Sequence, residues 1–370
     1  MRGNGVRVLI VGGGVAGLAT VAALRDWGAT IDVVERAPGP TDSGTGIYLT
    51  GNATRMLAVL GLREPVADVA VEITRQRSAN QRGGRLFDID VTALWQGVGA
   101  CVSLPRAHLH RAMLAGVGDT PIRWGRHPVV LVEEGDRVAV EFDDHSIERY
   151  DLVLGADGVN STVRRLTFDA PAARDLGQYA YRWIAPRIDA EPVWSVQLGR
   201  GRQFLTIPIS AEQTYCYYND GPVADRPGWR DEVAATFTEP VATMLKALDH
   251  DDSTLHAGPN QEVVLGAWSR GPVLLIGDAA HATSPNMAQG AAMALEDAVV
   301  LAASLAAAGS IAEALRGYEA RRRPRTDWVL SQTHRRDKAT GLPPALRDLV
   351  MRRLGEQMFR SNYGPLFAQP

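Results

Sequence analysis

Val6-Arg7-Val8-Leu9-Ile10-Val11-Gly12-Gly13-Gly14-Val15-Ala16-Gly17 is the stretch that decides the fold. Val6–Val11, apolar but for Arg7, is the run that a strand buried on both faces requires. Val15–Trp27 has helical character with small residues near the turn, and the β-branched Thr30–Val34 reads as a second strand, so the chain opens on a β-α-β unit. Within Gly12-x-Gly14-x-x-Gly17, Gly12 permits the tight turn. Gly14 lets the backbone approach a pyrophosphate, and Gly17 lets helix and strand pack closely. Phosphate belongs at such a helix N-terminus, where unpaired N–H groups and the dipole favour anions. Glu35 closes the second strand, 21 residues beyond Gly14 (35 − 14), close to the roughly 20 expected of a ribose-binding acid. Its carboxylate suits FAD or NAD and repels the 2′-phosphate of NADP. Ala16 and Arg36 flank these groups and join the candidate cofactor set.

Working outward, the 370 residues suffice for two domains or one large domain with an elaboration, and the formal net charge of −3 implies neither a nucleic-acid nor a membrane partner. Cys101 and Cys216 are the only cysteines; two buried reduced thiols are expected, with no metal site. The chain enters a core strand within a few residues, without a signal-peptide segment. The longest apolar run, Ala298–Ala308, is too short to span a bilayer. A cytoplasmic protein is expected; no oligomeric state is readable.

Residues 38–51 are rich in Gly, Pro, Ser and Thr and read as a loop, followed by a helix over Asn52–Leu60. Residues 72–100 read as a strand excursion, and Pro105 as the first position of a helix. Val129–Glu133 and Arg137–Phe142 flank a hairpin turn. Aromatic and β-branched residues concentrate over 178–219 and predict an antiparallel sheet covering something on one face. Trp229–Leu248 reads as one helix, Val273–Ile276 as a parallel strand and Ala288–Ala308 as a long helix. The arginines at 321–323, 325, 335 and 336 read as a solvated helix face. His108 and His110 read as surface or packing histidines, and His281 as structural in the Asp278 turn.

Two further segments carry chemistry. Asp151–Leu154 delivers Gly155-Ala156-Asp157-Gly158 to a turn, with Ser161 placed to cap the next helix. Gly277-Asp278-Ala279-Ala280-His281 leads to Pro285-Asn286 and Gln289-Gly290-Ala291. There a strand end offers Asp278 to a hydroxyl, and a helix N-terminus offers N–H groups to a developing negative charge. No Ser-His-Asp spacing and no second glycine fingerprint appears.

In this order, the three segments resemble the FAD-dependent aromatic hydroxylases, the single-component flavin monooxygenases (salicylate, 4-hydroxybenzoate and urate hydroxylase-like), over roughly Val6 to Arg325. This chain has Ala282 and Ala288 where that family often has proline and glycine. The resemblance implies an α/β fold: a Rossmann-type FAD-binding domain (1–75, 101–177, 271–325), an inserted antiparallel β-sheet substrate domain (76–100, 178–270) and C-terminal helices (326–370). It implies noncovalent FAD, NAD(P)H as a transient donor, and O2 activated as a flavin hydroperoxide that hydroxylates or epoxidises an aromatic small molecule. Gly12, Gly14, Ala16, Gly17, Glu35, Arg36, Arg106, Val129, Asp157, Asp278, Gly290 and Ala291 would hold the cofactor. Val129 would do so through its backbone, at the adenine. Gly44–Ile47 and the helix beginning Asn52-Ala53 would pass the flavin. Pro285, Asn286, Gln203, Tyr215 and Tyr217 are the candidates for the flavin face and substrate, and no catalytic acid–base pair is readable. The alternatives are a dehydrogenase or reductase of the same fold, or a flavoprotein that binds a ligand without turning it over.

Overall fold

The computed structural model describes residues 2–40, 44–168, 172–221 and 227–370. Its centre is a six-stranded sheet in the order Ser269–Arg270, Val273–Leu275, Leu152–Gly155, Arg7–Val11, Thr30–Glu35, Ile122–Trp124. All neighbours are parallel except the first pair, which forms a short antiparallel hairpin. Val8, Leu9 and Ile10 are fully buried, as are Leu152, Val153 and Leu154 beside them. The helix Val15–Leu24 packs between this sheet and the long helix Gly290–Ala307. That helix is apolar and long enough to match a membrane span by composition, but its inner face is packed in the protein.

A second, seven-stranded sheet runs His256–Glu262, Arg174–Pro186, Gln213–Asp220, Gln203–Pro208, Val193–Leu198, Arg75–Asn80, Arg85–Asp90. It is antiparallel except where Val193–Leu198 lies parallel to Arg75–Asn80. Residue alternation sorts its aromatics. Tyr181, Trp183, Phe204 and Tyr218 point outward, into a core closed by two helices. Trp194, Tyr215 and Tyr217 point the other way, into a cavity.

Several sequence expectations change. The 38–51 loop contains a strand, Gly46–Leu49, because Val102–Pro105 offers it an antiparallel partner; residues 41–43 of that loop lie outside the described residues. Pro105 ends that partner strand and caps the helix Arg106–Gly116 from outside, with φ −59° and ψ 133°. Trp229–Leu248 is two helices, Trp229–Thr236 and Val241–His250. Pro240 separates them, since a residue before proline is driven out of helical backbone. The division expected at 325/326 falls inside one continuous helix, Ile311–Thr340, and that at 177/178 inside the strand Arg174–Pro186. Both cysteines are buried free thiols, and burial pushes Cys101 up to about 12.

Only part of the arginine-rich stretch is a solvated face: Arg321 and Arg335 are exposed, but the others turn inward to differing degrees. Arg322 has 0% exposure and donates from Nε to Asp297 Oδ1 (2.7 Å) and from Nη1 to Glu296 Oε2 (2.6 Å). Arg325 reaches both oxygens of Glu296, at 2.6 and 2.7 Å. Two adjacent carboxylates buried in an alanine-rich helix require such cations, and the packing of Ile311–Thr340 on Gly290–Ala307 supplies them.

Candidate flavin and substrate site

One cavity of about 810 Å³ is lined by turns that follow strands of the central sheet, by the inner face of the seven-stranded sheet and by the C-terminal helices. Its nucleotide end is built by the glycine turn. Gly12 has φ +116°, and a Cβ there would lie 2.4 Å from Ala156 O, so only glycine fits. A Cβ on Gly17 would lie 1.9 Å from Gly12 O. Gly14 differs: a Cβ there meets nothing within 4 Å, because that space is the cavity itself. Gly14 is also the N-cap of Val15–Leu24 and makes no side-chain cap, so the first N–H groups of the helix face open space. Glu35 accepts from Gly13 N (2.7 Å) and Ala37 N (2.8 Å), one bond per oxygen, which fixes the carboxylate beside the turn. Arg36 is exposed next to it. His110 reaches Gly13 O at 2.9 Å.

The middle of the cavity is lined by Arg106, Ala156, Gly158, Asp278, Pro285, Asn286, Gly290 and Ala291. Asp278, Pro285 and Gly290 are exposed in a segment that is otherwise mostly buried. The helix Gly290–Ala307 starts from Gln289 without a side-chain cap, so a second helix N-terminus with free N–H groups faces the cavity. Ala288 holds the left-handed conformation (φ 50°, ψ 37°) at the turn before it, a geometry that costs a non-glycine residue about 1 kcal/mol. Glycine, which the resembled family often has here, adopts it freely.

Asp157 is placed differently from these. Its carboxylate accepts from Thr162 N (2.6 Å), Val163 N (3.1 Å) and Ser161 Oγ, and so caps the helix Thr162–Phe168. Ser161 Oγ in turn accepts from Arg164 N (2.9 Å). Asp157→Ala is expected to lower stability by about 1 kcal/mol, the usual value of a cap, measured by urea denaturation. Val129 lies on the strand Pro128–Glu134, outside the cavity lining.

A buried network supports this segment from below. Asp297 Oδ2 accepts from Gly277 N (2.9 Å) and meets His281 Nε2 (2.7 Å), so His281 is structural. Asn52 donates to Gln289 Oε1 (3.0 Å) and Glu296 Oε1 (2.9 Å), and Gln289 donates to Thr50 Oγ1 (2.8 Å). The Asp278 turn and the Gly290 helix start are thereby locked to Arg322 on another helix.

The third wall is the inner face of the seven-stranded sheet, in cross-strand rows. Arg182, Tyr217, Leu205, Val196 and Ser78 form one row in register; Tyr215, Ile207, Trp194 and Gln76 form the next; Gln203 and Leu198 belong to a third. Gln203 Nε2 donates to Asn286 Oδ1, and Asn286 Nδ2 to Asp337 on the helix Ile311–Thr340. Burial pushes the Asp337 carboxyl up. Arg336 Nη1 donates to Asn286 O (2.8 Å). Asp337, Arg335 and Arg336 were missed in the sequence because nothing local ties that helix to residues 203 and 286. Burial pushes the phenols of Tyr215 and Tyr217 up, so both stay protonated.

A glycine turn, a fixed acid beside it and two uncapped helix N-termini opening on one chamber define a dinucleotide-binding protein, and the open cradle at Gly14 fits a pyrophosphate. The family model described as FAD binding domain matches residues 5–333, and the chain belongs to that family. It is 33% identical over 345 residues to a 3-amino-4-hydroxybenzoate 2-monooxygenase of Streptomyces cremeus, covering 90% of this chain and 86% of that one. It is 31% identical to an aurachin C monooxygenase/isomerase of Stigmatella aurantiaca, covering 90% and 89%. The crystal structure of Klebsiella pneumoniae HpxO complexed with FAD and uric acid superposes with a TM-score of 0.88 at 26% identity, covering 99% of this chain and 97% of that one. The protein is an FAD-dependent monooxygenase.

Proposed function

We propose that this monooxygenase hydroxylates or epoxidises a flat aromatic or polycyclic small molecule, with NADH or NADPH as electron donor and O2 as co-substrate. The observation that carries the reading is the single cavity, continuous from Gly14 to the aromatic face of the sheet. Relatives named for 3-amino-4-hydroxybenzoate and aurachin C, and a relative solved with uric acid, support the substrate class.

FAD, when bound, supplies the activation of O2 and the transfer of one oxygen atom. The residues of the chain supply position and environment. Gly12, Gly14, Ala16, Gly17 and Arg106 hold the pyrophosphate region; Glu35, Arg36 and the Val129 backbone hold the adenosine. Asp278 accepts from a ribityl hydroxyl, and the N–H groups of Gly290 and Ala291 meet the flavin ring. Trp194, Val196, Leu205 and Ile207 keep water from the reacting face. Tyr215 and Tyr217, protonated, donate hydrogen bonds to the substrate. Asp337 orients Asn286, which orients Gln203 towards the ligand. Two free, buried thiols support a cytoplasmic setting.

FAD-loaded protein is expected to oxidise NADH or NADPH and to consume O2 faster when an aromatic substrate is added, with a product heavier by one oxygen in mass spectrometry. A flavin that neither nicotinamide reduces, with any aromatic ligand present, overturns the reading.

A further inference from the structure

We propose that the C-terminal helix Pro344–Tyr363 docks the protein on the surface of a lipid bilayer that contains anionic phospholipid. Its exposed leucines enter the lipid, and the free cations beside them meet the headgroups.

The helix has two faces. Arg347, Gly355, Phe359 and Tyr363 are buried against the body of the protein. Gly355 permits the close approach, since a Cβ there would collide with the Phe87 ring. On the other side, Leu346, Val350, Leu354 and Met358 recur every four residues and form one ridge. Leu342 extends this ridge and Leu349 widens it. Among the described residues, four of the five exposed leucines lie here, with Leu346 at 51%, Leu349 at 49% and Leu354 at 48%. An apolar patch rimmed with charge marks a surface that something covers.

Charge identifies the cover. Residues 331–370 hold seven Lys and Arg against three Asp and Glu, a formal +4 (7 − 3) in a chain whose total is −3. The other 330 residues, at −7 (−3 − 4), conceal this basic end in the overall balance. All three acids are engaged: Asp337 by Asn286, Asp348 by Arg347 and Glu356 by Arg360. Arg335, Lys338, Arg352 and Arg353 are exposed, and among the described residues none of them has a carboxylate within ion-pair distance. An apolar ridge beside uncompensated cations is the pattern of a helix lying in the plane of an anionic interface, with leucines in the acyl boundary and guanidinium groups at the phosphates. A second copy of this chain fits less well. An isologous contact would bring the free arginines of both copies into one interface, with no acid left to pair them.

The same face meets the cavity. Met358 lies on the ridge and lines the cavity, as do Ser361 and Asn362 just beyond it. On a bilayer the outer end of the cavity is therefore held at the lipid surface. Docking requires no turnover and does not depend on the monooxygenase reading.

The test is co-sedimentation of the FAD-loaded full chain with vesicles, either of phosphatidylcholine alone or of phosphatidylcholine and phosphatidylglycerol in equal parts. Binding to the mixed vesicles is expected to be tighter by about tenfold or more, as a few cations near an anionic surface produce. Leu346→Glu combined with Leu354→Glu should abolish binding to both kinds of vesicle. Arg352→Gln combined with Arg353→Gln should cut the preference for phosphatidylglycerol by about tenfold. None of these four residues lines the cavity, so flavin content and nicotinamide-driven reduction should stay unchanged and report intact folding. Should the leucine variant fail to fold, the arginine variant and the parent decide. No binding to mixed vesicles, equal binding to both kinds, or binding that survives in the leucine variant overturns the proposal. So does a dimer in sedimentation velocity without lipid that the leucine variant dissociates, because the ridge then belongs to a second copy.

Discussion

Arg322→Met lowers the unfolding free energy by about 3–5 kcal/mol and releases FAD. The magnitude is that of removing one partner from a buried ion cluster. Arg322, Glu296 and Asp297 all have 0% exposure, so no water replaces the lost cation. Arg325 still reaches Glu296 and His281 still meets Asp297, but Asp297 Oδ1 loses its 2.7 Å donor. The other oxygen of that carboxylate holds Gly277 N, so the disturbance reaches the Asp278 turn directly. Urea denaturation and the flavin content of the purified protein read the two effects. The pH dependence has a definite sign. Burial works to raise Glu296 and Asp297, but Arg322 and Arg325 around the first and His281 and Arg322 around the second outweigh it, and both are held below the ordinary carboxylate range. Their stabilisation is complete above about pH 4, the unfolded value, and is lost as pH falls below it. The deficit of Arg322→Met is therefore largest near neutrality and shrinks in acid. A variant as stable as the parent at pH 7 contradicts this account.

Gly14→Val leaves a folded, colourless protein, whereas Gly17→Ala does not fold normally. The contrast comes from where each new Cβ goes. At Gly14 it enters the open cradle of a helix start with ordinary backbone (φ −84°), so the fold tolerates it. The branched side chain then occupies the pyrophosphate position. FAD affinity is expected to fall by about two orders of magnitude, roughly 2.7 kcal/mol. At Gly17 a single methyl group meets the Gly12 carbonyl, and either the helix or the turn must move. Circular dichroism with FAD titration separates the two variants. Tight FAD binding by Gly14→Val overturns the placement of the phosphates.

The glycine turn and the acid beside it were legible because their determinants are local. Gly12, Gly14, Gly17 and Glu35 lie within one β-α-β unit, and each residue type answers a steric or electrostatic demand of that unit. The hairpin over Pro128–Phe142 was legible for the same reason. What failed to show depended on partners far along the chain. Gly46–Leu49 is a strand only because Val102–Pro105 lies beside it. Arg322 carried no local sign of burial; its carboxylates are 25 and 26 residues earlier, on another helix. A clue was available there, since Glu296-Asp297 interrupts an alanine-rich helix and two buried acids demand cations. The chain of hydrogen bonds from Asp337 through Asn286 to Gln203 had no such clue. The aromatic residues of 178–219 could be assigned to a sheet, but only register divides them between the outer core and the chamber.

The strand order of the central sheet also governs how the polypeptide matures. Arg7–Val11 acquires one neighbour almost at once, but its other neighbour, Leu152–Gly155, emerges from the ribosome well over a hundred residues later, and Val273–Leu275 later still. Until then a hydrophobic parallel edge stays open to the wrong neighbours. Expression yield of folded protein should therefore rise when translation is slowed by cold.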